Sequence, residues 1–254
     1  MNAMNEPIIL AEEIEFTLDG KKITALADQT LIEIAKQHGI DIPRLCYKPG
    51  YRADGNCRAC VVEIKGERVL APSCCRLPAN GMEVTTASPR AVASQKMVLE
   101  LLTADAPLTN YKPGANELTQ WAEKLGVTTS RFKPRLQPGL ANSADFSHPA
   151  MTVNLDACIQ CTRCVRACRE EQVNDVIGYA FRGAQSKIVF DFDDPMGAST
   201  CVACGECVQA CPTGALAPAK EAYKVVADKT VDSVCPYCGV GCQLTYHVKD
   251  NTII

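Results

Sequence analysis

The chain has 254 residues, with 26 Lys and Arg against 29 Asp and Glu for a net charge of −3, and 47% of it is hydrophobic. That composition permits a globular fold, and the mixed charges leave no basic stripe for a phosphate backbone, so no nucleic-acid partner is expected. No apolar stretch approaches the roughly 20 residues needed to cross a bilayer, and Met1–Glu13 shows neither a secretory leader nor a twin-arginine pair, so no membrane association and a cytoplasmic location are expected.

Residues 14–26 predict a β-hairpin: Ile14, Phe16 and Leu18 alternate, Asp19-Gly20 makes the turn, and Ile23 and Leu26 return. Thr30–His38 predicts a helix with Leu31, Ile34 and Ala35 on one face and Gly39 as its stop. A second strand pair is expected at Cys60–Ile64 and Arg68–Ala71, joined through Lys65-Gly66-Glu67. Two hairpins around one helix suggest a small mixed sheet packed on a helix. Val92, Met97, Val98, Leu101 and Leu102 predict a helix over 91–103 with an apolar stripe, and a second helix is expected over Glu117–Leu125. Residues 131–150, with Pro134, Pro138, Gly139 and Pro149, read as a linker. His38 and His148 read as surface or helix-end residues, and Trp121 as core.

Sixteen cysteines lie in four tight groups separated by cysteine-free stretches. Disulfide scaffolds are typically short and secreted, whereas grouped cysteines in a reducing compartment point to metal ligation. In the first group, Cys46, Cys57, Cys60 and Cys74 are the candidate ligands of a [2Fe–2S] cluster. Cys57 and Cys60 share a Cys-x2-Cys turn, and Cys46 lies across a loop bearing Gly50 and Gly55, which can wrap a cluster and aim backbone N–H groups at sulfur. The hairpin at Lys65–Glu67 then returns Cys74 towards Cys60. A structural zinc site would need no such glycine-bearing loop.

The next two groups repeat one motif, Cys-x2-Cys-x2-Cys-x3-Cys, at Cys158 and again at Cys201, which points to a duplicated unit. Three cysteines so spaced hold three corners of a cubane, and in two-cluster ferredoxins the fourth ligates the other cluster. One [4Fe–4S] cluster is therefore assigned to Cys158, Cys161, Cys164 and Cys211, and its partner to Cys201, Cys204, Cys207 and Cys168. Arg163, Arg166 and Arg169 sit among these ligands, either stabilising reduced clusters or lining a solvated helix face.

Gly55-Asn56-Cys57-Arg58-Ala59-Cys60-Val61-Val62-Glu63 closely resembles the motif of the [2Fe–2S] domain at the N-terminus of respiratory complex I's largest peripheral subunit, and of its relatives in hydrogenases and formate dehydrogenases. The resemblance implies that Cys74, which follows Ser73, is the fourth ligand, leaving Cys75 a packed or exposed thiol. It also implies a further [4Fe–4S] site with one His and three Cys between the modules, but Ala106, Asn110 and Pro113 lie about where the His and the first two Cys would be. No Cys occurs between 76 and 157, so the scaffold is expected without the metal. The last group, Cys235, Cys238 and Cys242, resembles the opening of the catalytic domain of molybdopterin-dependent formate dehydrogenases. There a third [4Fe–4S] cluster would need a downstream fourth cysteine, so the chain is expected to be the front of a longer one. A zinc-binding tail using His247 is the alternative.

The implied architecture is α+β: a β-grasp [2Fe–2S] ferredoxin domain at 1–90, a helical spacer and linker at 91–150, a two-cluster [4Fe–4S] ferredoxin domain at 151–222, and the start of a molybdopterin oxidoreductase domain at 223–254. The implied work is a one-electron relay of a formate dehydrogenase, between a molybdenum or tungsten bis-pyranopterin in the remainder of the catalytic subunit and a flavin- and NADH-binding iron–sulfur subunit near the [2Fe–2S] end. The competing readings are a stand-alone electron-transfer subunit of an NAD-linked hydrogenase or complex I-like diaphorase, and a scaffold whose clusters are structural. No paired carboxylates or Ser–His arrangement suggest catalytic chemistry in these residues.

Overall fold

The computed structural model describes residues 12–106, 116–134, 144–219, 227–236 and 239–253. Strands β1 (Glu13–Leu18) and β2 (Lys21–Leu26) pair antiparallel through Asp19-Gly20. Both turn residues have positive φ, 49° and 81°, as a two-residue hairpin loop of matching twist requires. Helix α1 (Leu31–Gln37) starts at a capping box in which Thr30 N donates to Glu33 Oε2 at 2.8 Å. It buries Leu31, Ile32, Ile34 and Ala35.

Strand β3 (Val61–Ile64) pairs with β4 (Ala71–Pro72), Val61 opposite Pro72 and Val62 opposite Ala71. The returning strand is thus shorter and later than the 68–71 expected: the chain turns at Gly66, φ 86°, and bends at residues 68–69 before it pairs. Between the hairpins lies a strand the sequence did not announce, β5 (Glu83–Thr85), parallel to β1 and antiparallel to β3. The sheet order β2-β1-β5-β3-β4 with α1 against it is the β-grasp arrangement. Phe16, Leu18, Ile34, Val62 and Val84 form its core together with Cys60 and Cys74. Each large aliphatic buried there contributes about 1.5–3 kcal/mol.

Helix α2 (Pro89–Asp105) is capped by Ser88, whose Oγ accepts from Ala91 N at 3.1 Å, with Pro89 at its first position. Its buried face differs from the expected stripe. Ala91, Gln95, Leu99 and Glu100 are buried, while Met97 and Leu101 are exposed. The rotation follows from Gln95, whose Nε2 donates to Val61 O at 2.9 Å and draws the helix onto β3 through a polar position. Helix α3 (Glu117–Lys124) buries Leu118, Trp121 and Ala122, and a second core joins these to Leu45, Ala59 and Leu99. Trp121 is core, as expected, with Lys124 Nζ 4.4 Å from its ring centroid. Of the 131–150 linker, residues 135–143 lie outside the described residues, as do Asn110 and Pro113.

The duplicated unit is closed by β6 (Met151–Val153) pairing antiparallel with β9 (Leu216–Pro218). Between them come α4 (Arg163–Arg166), a wider helical turn at Ala167–Glu171, the hairpin β7 (Ile177–Ala180) and β8 (Lys187–Phe190), and α5 (Glu206–Ala210). A separate sheet of β10 (Lys229–Val234), β11 (Gln243–Lys249) and β12 (Thr252–Ile253) ends the chain. No helix among the described residues is long and apolar enough to cross a membrane.

Candidate metal centres

Loop 46–57 carries the first cysteine group inward. Cys46, Cys60 and Cys74 are buried and Cys57 is half-buried. Cys46 N donates to Cys57 Sγ and Cys57 N to Cys46 Sγ, each at 3.4 Å, and the N–H groups of Asn56 and Ala59 are aimed at the Cys46 and Cys57 sulfurs. The Cys46 sulfur is within hydrogen-bonding reach of both Cys57 and Cys74, and Cys74 of Cys60. Ser73 ties the halves together, its N and Oγ donating to Cys60 O at 3.1 and 2.7 Å.

This crowding divides the protons unequally. Hydrogen bonds from Cys57 and Cys74 hold the Cys46 thiol well below its usual range, and one from Cys74 lowers Cys60, while contact with Cys46 pushes both Cys57 and Cys74 up. Four thiols placed so closely cannot all ionise unless positive charge sits among them. The donor set therefore fits an iron–sulfur cluster. Cys75 faces outward: it is exposed, its Sγ lies 3.6 Å from Cys74 Sγ, and a Cβ on Gly55 would come within 3.0 Å of it.

The duplicated unit contains two apolar cavities. Cys158, Cys161, Cys164 and Cys211 line one of them, walled by Leu155, Ile188 and Leu216. Cys168, Cys201, Cys204 and Cys207 line the other, walled by Met151, Val176 and Ile177. Burial pushes Cys161 and Cys207 up to about 12 and raises Cys164 as well, so bare thiolates are disfavoured and a cationic cluster would be needed to hold them ionised. The two runs turn alike. Gln160 and Ala203, each two residues after the first cysteine, have φ of 55° and 59° and donate N–H to Cys158 Sγ and Cys201 Sγ at 3.4 Å. Two residues further on, Thr162 and Gly205 are also left-handed. A threonine is strained there, and its Oγ1, 2.6 Å from both Asp54 Oδ2 and Cys161 O, anchors it.

In the last group Cys235 N donates to Cys242 O at 2.8 Å, at the base of the loop joining β10 to β11, while Cys238 lies outside the described residues. His247 pairs with Thr230 five residues along β11, roughly 16 Å from Cys242 at about 3.3 Å per residue. It is thus too far along the strand to share an ion with Cys235 and Cys242, which leaves the zinc-tail alternative without a fourth ligand beside that pair.

The solvated-face reading fails for two of the three arginines. Arg163 and Arg166 are 3% and 2% exposed. Arg163 Nη2 donates to Tyr47 O at 2.6 Å, and Arg166 donates to Cys46 O at 2.6 Å and to Arg52 O at 2.5 Å. Arg169 is exposed and pairs with Asp175. Burial opposes the charge of Arg163, but Glu117 and the Cys161 and Cys46 sulfurs together hold its pKa above the ordinary value. The loop joins the duplicated unit at further points. Asn56 Nδ2 donates to Gln160 O at 2.9 Å, Arg52 pairs with Glu170, and Lys48 and Tyr51 both reach Glu206. Sequence reasoning missed this interface because the partners lie more than a hundred residues apart. His148 is also a correction: it is buried, and its Nδ1 accepts from Ala150 N at 3.1 Å. His38 stands exposed at the end of α1, as expected.

Residues 11–89 match the 2Fe-2S iron-sulfur cluster binding domain, 157–215 the 4Fe-4S dicluster domain, and 228–254 the molybdopterin oxidoreductase Fe4S4 domain. The chain is 34% identical over 239 residues to an NADH-quinone oxidoreductase subunit of Rhizobium meliloti, covering 91% of this chain and 27% of that protein. It is 34% identical over 227 residues to the NADP-reducing hydrogenase subunit HndD of Solidesulfovibrio fructosivorans, covering 84% and 37%. A putative formate dehydrogenase of Staphylococcus haemolyticus is 25% identical over 289 residues, covering 96% and 29%. The chain thus spans about a quarter to a third of the length of these relatives. Among solved structures, a chain of the NAD+-reducing [NiFe]-hydrogenase in the H2-reduced state superposes with a TM-score of 0.72 at 29% identity, covering 84% of this chain and 90% of that one.

Proposed function

We propose that this chain, an iron–sulfur electron-transfer region related to NADH-quinone oxidoreductase and hydrogenase subunits and to putative formate dehydrogenases, is the relay of a formate dehydrogenase. The observation that carries the reading is that one chain joins a docked [2Fe–2S] and dicluster pair to a segment matching the molybdopterin oxidoreductase Fe4S4 domain. Cys46, Cys57, Cys60 and Cys74 would hold the [2Fe–2S] cluster. Cys158, Cys161, Cys164 and Cys211 would hold one [4Fe–4S] cluster, and Cys168, Cys201, Cys204 and Cys207 the other. Cys235, Cys238 and Cys242 would give three corners of a third, completed by a cysteine outside the 254 residues.

Bound clusters supply one-electron carriers, and the chain's residues do the rest. The apolar walls exclude water from the two cavities, N–H groups of Gln160, Ala203 and Val176 are directed at ligand sulfurs, and the interface around Arg163 and Arg166 fixes the [2Fe–2S] loop against the duplicated unit. The electrons would pass between a molybdenum or tungsten pterin centre and a flavin- and NAD-linked partner near the [2Fe–2S] end. A second reading, the relay of an NAD-linked hydrogenase, is favoured by the superposition over 90% of a hydrogenase chain. The separating experiment adds formate, H2 or NADH to the complete anaerobic complex and follows cluster reduction spectroscopically. Reduction by formate supports the first reading. Reduction by H2 or NADH without formate replaces it with the second.

A further inference from the structure

The two arginines differ in how their charge is met. Arg163 is neutralised by a two-pronged pair with Glu117, Nη1–Oε1 2.7 Å and Nη2–Oε2 2.9 Å. Among the described residues Arg166 pairs with Asp54, Nε 3.4 Å from Oδ2, and that carboxylate already pairs with Arg52 at 2.8 Å and accepts from Thr162 at 2.6 Å. The buried Nε makes no hydrogen bond in either arginine. The Arg166 guanidinium instead spends its donors on carbonyls, Nη2 reaching Cys46 O at 2.6 Å and Cys161 O at 3.4 Å. These carbonyls belong to a ligand of the [2Fe–2S] set and a ligand of the first [4Fe–4S] set. Both are reached by the one Nη2, whose direction the planar guanidinium fixes, whereas an ammonium's donors swivel on a flexible stem.

We propose that Arg166 is a positioning residue shared by the two centres, its buried charge favouring an added electron on either, and its Nη2 joining Cys46 to Cys161 so that the centres exchange electrons as a coupled pair. The event is transfer of one electron from one centre to the other, with no bond made or broken and no proton moved. Arg163 lies near the Cys46 and Cys161 sulfurs as well, but its charge is offset by Glu117 and its Nη2 goes to Tyr47 O rather than to a ligand's carbonyl, so it contributes mainly to docking. The inference rests on the cluster assignments proposed above.

The test uses the full-length protein, purified anaerobically, with iron counted and the centres followed by paramagnetic resonance during a redox titration. In Arg166→Gln both the [2Fe–2S] and the first [4Fe–4S] potentials should become more negative, reduction of each falling about tenfold, or 59 mV for one electron. Arg166→Lys, which keeps the charge but loses the fixed direction of Nη2, should shift both potentials by less than half as much while slowing photoreduction-triggered transfer between the centres at least tenfold. Retained clusters with unmoved potentials, or a shift confined to one centre, would overturn the proposal. If Arg166→Gln loses its iron, the Lys variant decides, and an unchanged transfer rate overturns the coupling. Absence of a [2Fe–2S] signal from the unsubstituted protein would remove the cluster assignment itself, which separates the two failures.

Discussion

Glu117 clasps Arg163 across 46 residues of sequence, joining the spacer helix α3 to the first cysteine run of the duplicated unit. The same residue's N donates to Pro212 O at 2.7 Å, next to Cys211. The spacer therefore serves as a brace: it packs Trp121 against the first unit's side and plants its N-terminus on the second. Glu117→Gln would leave a guanidinium that is 4% exposed without its counter-charge. Breaking a fully buried pair costs about 3–5 kcal/mol. Because a third of the Glu117 side chain is exposed, a loss of roughly 2 kcal/mol is expected. Chemical unfolding of the variant beside the parent measures it, and equal midpoints would show that the clasp is incidental.

What was legible in the residues follows from how local each signal is. Asp19-Gly20, the Leu31, Ile34 and Ala35 face with its Gly39 stop, and the repeated cysteine spacing act over a few residues, and hairpin, helix and paired runs stand where they were expected. Strand β5 was illegible because it is three residues long with Val84 its one buried side chain, and its place between two hairpins is settled by partners far away in sequence. The face of α2 was misjudged because Gln95, a polar residue, is buried by hydrogen bonds to Val61 O and Thr86 O that no periodicity announces. For Arg163 and Arg166 the sequence left cluster support and a solvated face both open for the same reason: their acceptors are backbone carbonyls of another unit.

Cys168 tests the crossed assignment. It follows Cys158, Cys161 and Cys164 in sequence but lines the cavity of Cys201, Cys204 and Cys207, with Val176 N donating to its sulfur at 3.3 Å. Cys168→Ser should therefore damage the centre held by Cys201, Cys204 and Cys207 and spare its sequence neighbours. Resonance spectra showing loss of the Cys158 centre instead would reverse the assignment.

The spacer should bring no iron of its own. Residues 103–135 contain neither Cys nor His, and α3 fills that region with Leu118, Trp121 and Ala122 packed on Leu99. Residues 1–220, reconstituted anaerobically, are expected to carry about ten irons, the content of one [2Fe–2S] and two [4Fe–4S] clusters. A value near fourteen would reveal a further centre there.

Two adjacent cysteines should behave in opposite ways. Cys74 is fully buried in the first core, and its sulfur is within reach of the Cys46 and Cys60 sulfurs. Cys75 is exposed, and its sulfur lies over Gly55, whose φ of 60° lets the loop pass beneath. Cys74→Ser should abolish the [2Fe–2S] signal, while Cys75→Ser should leave signal and iron content unchanged. In the native protein an alkylating reagent should label Cys75 first, because thiolate reactivity needs access as well as ionisation. The exposed sulfur still stands only 3.6 Å from Cys74 Sγ, so the comparison is a strict one. If Cys75→Ser loses the cluster and Cys74→Ser keeps it, the fourth ligand is the outward thiol and the loop must rotate by one residue to bring it in.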